Sequence, residues 1–258
     1  MEVVILPGPE AVCAAGAEIV ARLLADEPDA VLALPTGATP RPLYAELVRR
    51  HGDEGLSFAR ATTFNLDEYV GVAPDHPGSF RRYMDEALFR HVDLHPSRAH
   101  VPDGLAADVP ASCAAYEAAI AAAGGLDLAL LGLGEDGHVA FNEPTSSLAS
   151  RTRIKTLSAA SRAANQAAFG AAAVPSHVIT MGLATILAAR RCLLLATGAR
   201  KAPALAALVE GPVTAMVPAS ALQLHARTTV LCDEAAAAHL TLGDYYRAVQ
   251  AAKPAWQR

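Results

Sequence analysis

The sequence predicts an α/β protein with one domain, built on a mostly parallel sheet with helices on both faces. Short apolar runs bounded by Gly, Pro, Asp or Asn recur along the chain, which is typical of buried strands. Segments of helical composition separate these runs, and such alternation implies crossover connections between parallel strands. Because no repeat, low-complexity linker or composition break divides the 258 residues, we expect a single domain over residues 1–258.

The predicted elements alternate along the chain as the fold class requires. The strands are Val3–Leu6, Ala30–Leu34, Thr62–Leu66, Leu126–Leu133, Arg191–Ala196 and Thr228–Cys232, and the helices include Ala11–Ala25, Arg41–Arg50, Ala111–Ala123 and Arg200–Val209. A Rossmann-like sheet of this kind binds ligands beyond the carboxyl ends of its strands. The residues that follow each apolar run are therefore the expected place for functional groups.

The composition excludes several classes of protein. The net charge of −5 and the lack of a basic stripe argue against nucleic acid as a partner. Four widely spaced cysteines without a CxxC pair predict reduced core thiols rather than disulfides or a zinc site. The N-terminus lacks a signal-peptide pattern and the apolar runs are shorter than a membrane span. We expect a soluble, cytoplasmic protein with no membrane partner.

The first notable strand exit is the segment of residues 35–40, Pro-Thr-Gly-Ala-Thr-Pro. Thr39 is predicted to cap the next helix, with Pro40 in its first turn. Gly37 permits a turn that points backbone N–H groups outward. Together with the helix dipole and the hydroxyls, these groups would bind an anion such as phosphate. An ordinary capped helix start is the alternative, and the segment alone does not decide between them.

The second strand exit carries two adjacent acids, Asp67 and Glu68. A carboxylate at the end of a buried strand is partly desolvated, which raises its pKa and makes it a better base. Asp67 is predicted to be the inward-facing one of the two. The alternative is a helix cap, since acidic residues favour the first turn of a helix.

The third strand exit, after Leu126–Leu133, is the most informative. Glycines in and beside the strand end allow backbone and ligand to approach closely. Asp136 and His138 lie two residues apart, and Glu143 is placed to hold the second ring nitrogen. An imidazole between carboxylates is an acid–base device. Metal binding by these residues is a weaker alternative, because no second histidine lies nearby.

These segments resemble the signature motifs of the glucosamine-6-phosphate deaminase family. The matching segments, in the family's order and spacing, are Leu34–Pro40, Phe64–Gly71, Gly134–Pro144, Ser146–Leu157 and Leu222–His225. The similarity extends from about residue 30 to about residue 235, which is most of the chain. The resemblance implies conversion of glucosamine 6-phosphate and water to fructose 6-phosphate and ammonia, without metal or organic cofactor.

The resemblance also assigns roles to individual residues. His138 would open the sugar ring, with Asp136 and Glu143 orienting it, and Asp67 would move a proton from C2 to C1. The phosphate-binding residues by similarity are Thr36, Gly37, Ala38, Thr39 and Lys201. The residues that match a binding site for the activator N-acetylglucosamine 6-phosphate, which belongs to hexameric relatives, are Ser146, Arg153, Lys155 and Thr156.

Two positions depart from the family pattern. Relatives carry an arginine on a mobile lid, here at about residues 157–180, where it grips the substrate phosphate. Ala167 stands at that position, so we expect a weaker grip on phosphate or compensation by another group such as Arg162. Glu135 replaces an asparagine that often precedes the catalytic aspartate. The C-terminal tyrosine of the activator site has only an approximate counterpart in Tyr245 or Tyr246.

Two other functions compete with the deaminase. A 6-phosphogluconolactonase shares the fold and a Gly-x-Asp-Gly-His segment, but the residues that follow here, Ala140–Pro144, favour the deaminase. A sugar-phosphate sensor without turnover usually adds a DNA-binding segment, for which this chain has neither spare length nor a basic face. The phosphosugar is thus the expected partner, with a homo-oligomer left open.

Overall fold

The computed structural model describes residues 1–254. Its strands are β1 (Glu2–Leu6), β2 (Val31–Leu34), β3 (Thr62–Asn65), β4 (Asp67–Tyr69), β5 (Ala99–His100), β6 (Leu128–Gly132), β7 (Arg153–Thr156), β8 (His177–Thr180), β9 (Arg191–Ala196) and β10 (Thr228–Asp233). Its α-helices are α1 (Pro9–Asp26), α2 (Arg41–Glu54), α3 (Phe80–Ala87), α4 (Val109–Ala122), α5 (Ala159–Asn165), α6 (Leu183–Leu187), α7 (Ala202–Val209) and α8 (Gly243–Ala251).

Seven strands form the main sheet, in the order β1-β10-β9-β6-β2-β3-β5, and every neighbouring pair is parallel. The six predicted strands are all in it, so the expected fold class is confirmed. β5 was not predicted, because two residues beside β3 are too few to show a period in the sequence.

Helices cover both faces of this sheet, and the side-chain alternation of β2 shows how. Val31 and Ala33 join a core cluster with Ile120 of α4 and Leu205 of α7. Leu32 and Leu34 point the other way, into a cluster with buried residues of α1, α2 and α3. A strand buried on both sides reads as a continuous apolar run, which is why the sequence revealed it.

A second, smaller sheet was not predicted. It is antiparallel, in the order β4-β8-β7, and β4 begins only two residues after β3 ends. Leu66 lies between them: its amide donates to the Leu34 carbonyl, and its carbonyl accepts from Met181. The apolar pattern of the sequence placed Asp67 at the end of β3. In the structure it is the first residue of β4.

Two properties of the chain bear on its setting. All four cysteines are buried and unpaired, as predicted. Among the helices of residues 1–254, none is both long and apolar enough to cross a bilayer.

Candidate active site

The predicted functional residues gather at the carboxyl edge of the main sheet. β6, β2 and β3 lie side by side there, so the loops that follow them are neighbours, and the segment after β9 lies on the other side of β6. This is the edge at which open parallel sheets bind ligands.

The loop after β6 folds His138 back onto Asp136. The imidazole Nδ1 lies 2.6 Å from Asp136 Oδ1 and 4.0 Å from Glu143 Oε2. Asp136 Oδ1 also accepts from the His138 backbone amide at 3.1 Å. The prediction that Glu143 holds the second ring nitrogen is wrong, because both carboxylates approach Nδ1. Nε2 is therefore the nitrogen left to exchange a proton with a ligand.

Burial opposes ionisation of Asp136, but the contact with His138 outweighs it. The side-chain hydrogen bond and the charge of the imidazole hold the Asp136 pKa well below its usual range. Asp136 is thus held as an anion beside Nδ1, where it favours a proton on that nitrogen.

The glycines of this loop are required by close packing. A Cβ on Gly134 would lie 2.4 Å from two atoms of the His138 ring, so only glycine lets the imidazole rest on the backbone. Gly137 has a φ of 84°, and a Cβ there would meet Val217 at 2.7 Å. Ala140, with φ of 52°, holds a left-handed turn that is uncommon for a residue with a side chain. This turn directs the Phe141 amide to Asp67 and Thr180.

Asp67 is a buried carboxylate, 6% exposed, with a raised pKa. Burial raises its pKa to about 7, although hydrogen bonds from Thr180 and from the Phe141 amide, and the charge of His138, work in the opposite direction. A carboxylate with a pKa near 7 is about half ionised at neutral pH. It is also a stronger base than an ordinary carboxylate, which suits it to remove a proton bound to carbon.

The adjacent Glu68 serves a different purpose. Its carboxylate accepts hydrogen bonds from the Ser79 hydroxyl and the Phe80 and Arg81 amides at the start of α3, and from the Tyr69 amide in β4. Burial raises the pKa of Glu68, and these hydrogen bonds oppose the increase. Glu68 thus anchors α3 against β4, the helix-capping role that the sequence left open, and Asp67 is the acid that faces the catalytic loop.

The predicted phosphate loop lies after β2. Tyr44 and Tyr83 donate hydrogen bonds to the carbonyls of Pro35 and Gly37, at 2.6 and 2.7 Å. These bonds secure the carbonyl side of the loop, and Gly37 turns with a φ of 109°. The predicted cap is wrong by one residue: Pro40 occupies the N-cap position and α2 begins at Arg41, so the Thr39 hydroxyl is not used as a cap.

Lys201 follows β9 in a 3₁₀ turn (Ala199–Lys201). Burial lowers the pKa of Lys201, and the nearby charges of Glu135 and Asp136 act to raise it. The buried carboxylate of Asp233 holds this turn by accepting from the Gly198 amide at 2.9 and 3.0 Å. Asp233 was missed by the sequence analysis, although it directly follows a predicted strand, which was the available signal.

The residues that match an activator site lie around β7. Ser146 is buried, and its hydroxyl donates to the Glu143 backbone carbonyl at 2.6 Å. Arg153 donates to Asn142 Oδ1 at 2.9 Å, and burial lowers its pKa. Lys155 is half-buried and Thr156 is exposed. Two of the four residues therefore contact the loop that carries Glu143.

The segment predicted as a lid connects β7 to β8. Residues 157–176 contain α5 and a 3₁₀ turn (Gln166–Phe169), whereas His177–Thr180 is β8 itself and lies within the small sheet. Phe169 fills a slot over Gly78, where a Cβ would meet its ring at 2.5 Å, and it packs edge-on against Tyr69. Ala167 is exposed.

The acid–base groups described above can exchange protons with a ligand. Three of them, in the loop after β6, are also of the types that bind metal ions. The ligand atoms of Asp136, His138 and Glu143 lie within 4.8 Å of one another. The 2.6 Å contact between Asp136 Oδ1 and Nδ1 is also what an acid–base pair without a metal would show. Fold and site together define a parallel α/β protein with a proton-transfer centre at the carboxyl edge of its sheet.

Comparison with known proteins places the chain more narrowly. Residues 9–231 match the family model described as glucosamine-6-phosphate isomerases/6-phosphogluconolactonase. The chain belongs to this family. It is 55% identical to the glucosamine-6-phosphate deaminase of Arthrobacter sp. (strain FB24), over 100% of this chain and 99% of the relative. The corresponding protein of Mycolicibacterium smegmatis is 53% identical, over the same shares.

Solved structures agree with this placement. A monomeric glucosamine-6-phosphate deaminase superposes with a TM-score of 0.90 at 43% identity, covering 93% of this chain and 100% of that one. The 6-phosphogluconolactonase of Trypanosoma brucei has a TM-score of 0.74 at 22% identity, covering 93% of this chain and 98% of that one. The second similarity concerns the fold alone.

Proposed function

We propose that this chain converts glucosamine 6-phosphate and water to fructose 6-phosphate and ammonia, using acid–base groups of the protein and no metal or organic cofactor. The observation that carries the proposal is the pair of acid–base groups at one sheet edge: Asp67, with a pKa raised to about 7, and His138, whose Nδ1 lies 2.6 Å from Asp136 Oδ1. An aldose–ketose isomerisation needs two such groups and no nucleophile.

The roles follow from the chemistry of each group. His138, through Nε2, would take the proton of the C1 hydroxyl and pass it to the ring oxygen as the sugar opens, while Asp136 and Glu143 stabilise the transient imidazolium form. Asp67 would then remove the proton from C2 and return it to C1, which converts the aldehyde and amine into an enolamine and then an imine. Addition of water at C2 of the imine releases ammonia and leaves the ketone of fructose 6-phosphate.

Phosphate would be held by the loop Thr36–Thr39 and by Lys201. The loop offers backbone amides and hydroxyls near the start of α2, and Lys201 offers a cation that is already partly desolvated. Ala167 adds no charge from the lid, so the grip on phosphate depends more heavily on these groups than it would with an arginine at that position.

The assay that tests this function measures ammonia and fructose 6-phosphate after incubation with glucosamine 6-phosphate and EDTA. Turnover is expected, and His138→Gln should slow the cyclic substrate far more than an open-chain analogue, because only the cyclic form needs ring opening. Hydrolysis of 6-phosphogluconolactone without ammonia release would instead assign the lactonase reaction. Loss of turnover on adding EDTA would point to a metal at Asp136, His138 and Glu143.

The proposal also covers activation by a second phosphosugar, the cellular location and the oligomeric state. Ser146 and Arg153 contact the loop of Glu143, which supports binding of N-acetylglucosamine 6-phosphate by Ser146, Arg153, Lys155 and Thr156. Activation of the reaction at low substrate by this compound would support the site, and unchanged rates would remove it. The enzyme would act in the cytoplasm; a solved relative is monomeric, so assembly into a homo-oligomer is decided by sedimentation.

A further inference from the structure

We infer that Ser161 is a positioning residue, which couples the lid (residues 157–176) to the acid–base group His138 through the two oxygens of Glu143. The inference rests on the proposed function, since it concerns ring opening by His138. Nothing in the residue pattern that identified the catalytic loop pointed to Ser161, which lies on a different element.

The first oxygen of Glu143 belongs to the lid. Ser161 Oγ donates to Glu143 Oε1 at 2.5 Å, and both residues are buried. The backbone amide of Ser158 donates to the same oxygen at 3.3 Å. Ser158 also caps α5, because its hydroxyl accepts from the Ser161 amide at 3.1 Å. The start of α5 is thus built around Glu143 Oε1.

The second oxygen of Glu143 faces the imidazole. Oε2 is buried, has no hydrogen-bond partner among residues 1–254 and lies 4.0 Å from His138 Nδ1, with a second carboxylate, that of Asp136, within 4.8 Å. An unpaired buried carboxylate oxygen is costly, so Oε2 gains most from a positive charge on the ring beside it. That charge develops when the ring carries both protons, the form that donates one to the ring oxygen of the sugar.

The coupling follows from the geometry of a carboxylate. Both oxygens rotate together about the last side-chain bond, so fixing Oε1 with Ser161 also fixes the direction of Oε2. With the lid docked, Oε2 stays beside Nδ1; without the Ser161 hydroxyl, the carboxylate is free to turn away. The Glu143 side chain therefore links the docked position of the lid to the ability of His138 to donate a proton.

Ser161→Thr and Ser161→Val form the critical comparison, because the two side chains have the same shape and differ in the hydroxyl. We expect kcat on glucosamine 6-phosphate to fall about tenfold in Ser161→Val and to remain close to wild type in Ser161→Thr, which is the scale of one hydrogen bond to a charged group. The loss should appear with the cyclic substrate and be absent with an open-chain analogue. KM should change little, because Ser161 does not contact the phosphate loop.

Gln166→Ala is the control within the lid. The Gln166 side chain donates hydrogen bonds to the carbonyls of Gly170 and Ala172, and neither bond involves Glu143. This variant should leave the ratio of cyclic to open-chain rates at the wild-type value. Equal kcat for the Thr and Val variants, or equal losses on both substrates, would overturn the positioning role while the deaminase activity of the wild type stands. A wild-type chain that releases no ammonia would overturn the proposed function and the positioning role with it.

Discussion

Asp67→Asn should abolish catalysis and at the same time stabilise the protein at neutral pH. The carboxylate is buried and pays a desolvation cost whenever it is ionised, whereas the amide of Asn has nearly the same shape and carries no charge. Asn keeps an oxygen that can accept from the Phe141 amide, so the local hydrogen bonding is retained. The activity should fall by at least a factor of about 100, the scale for removal of a general base.

The size of the stabilisation follows from the pKa of Asp67. Folding raises it from 3.8 to about 7, and about 3 pKa units correspond to about 4 kcal/mol. Between these two values the folded state binds more protons than the unfolded state, so the free energy of unfolding of the wild type decreases as the pH rises through this window. The advantage of Asp67→Asn should therefore be small at about pH 4, grow to about pH 7, and stay constant above it.

Urea unfolding of both proteins at a series of pH values measures this difference. Asp93→Asn is a matched control with the opposite sign. Burial opposes ionisation of Asp93, but hydrogen bonds from Ser57 and the Phe58 amide lower its pKa, so its removal should cost stability as the pH rises. If Asp67→Asn gains nothing above pH 7, or gains equally at all pH values, desolvation is not what sets the pKa of Asp67, and its assignment as a tuned base fails.

Two further predictions concern substrate binding. In steady-state kinetics, Lys201→Met should raise KM about tenfold or more, with a smaller effect on kcat. Arg200→Met, at the exposed neighbouring residue, should leave KM unchanged. Equal effects of the two substitutions on KM would contradict a phosphate contact at Lys201. Gly78→Ala should displace the Phe169 ring, which would lie 2.5 Å from the new Cβ, and so make residues 157–176 sensitive to limited proteolysis. Gly52→Ala, with no atom within 4 Å of its new Cβ, should leave the cleavage rate unchanged. Equal protection of the segment in both variants would show that the Phe169 contact does not keep it in place.

Much of the fold was predictable because burial on both sheet faces leaves a simple trace. The runs at β2, β6 and β9 are continuous and apolar, and the helices between them repeat their buried residues every three or four positions. The small sheet left no such trace. β4 is the polar triplet Asp67–Tyr69, and its burial depends on tertiary contacts with α3 and β8 rather than on its own composition.

The site was predictable where chemistry and local sequence coincide. Asp136, His138 and Glu143 share one loop, so their proximity could be inferred, but the choice of ring nitrogen could not, because it depends on how Gly134 and Gly137 turn the backbone. Ser161 and Asp233 were missed for a different reason. Each is an ordinary residue in sequence and gains its role only from a partner far along the chain.

The segment of residues 157–176 is joined to the rest of the protein at both ends by the antiparallel pair of β7 and β8. Thr156 pairs with His177, and the Leu157 amide bonds to the Ser176 carbonyl, so both junctions are fixed by main-chain hydrogen bonds that accept almost any side chain. Residues 157–176 can thus be replaced as a unit, because both ends are fixed by main-chain hydrogen bonds. Side chains inside the segment, that of Ala167 included, can therefore differ without loss of these main-chain bonds.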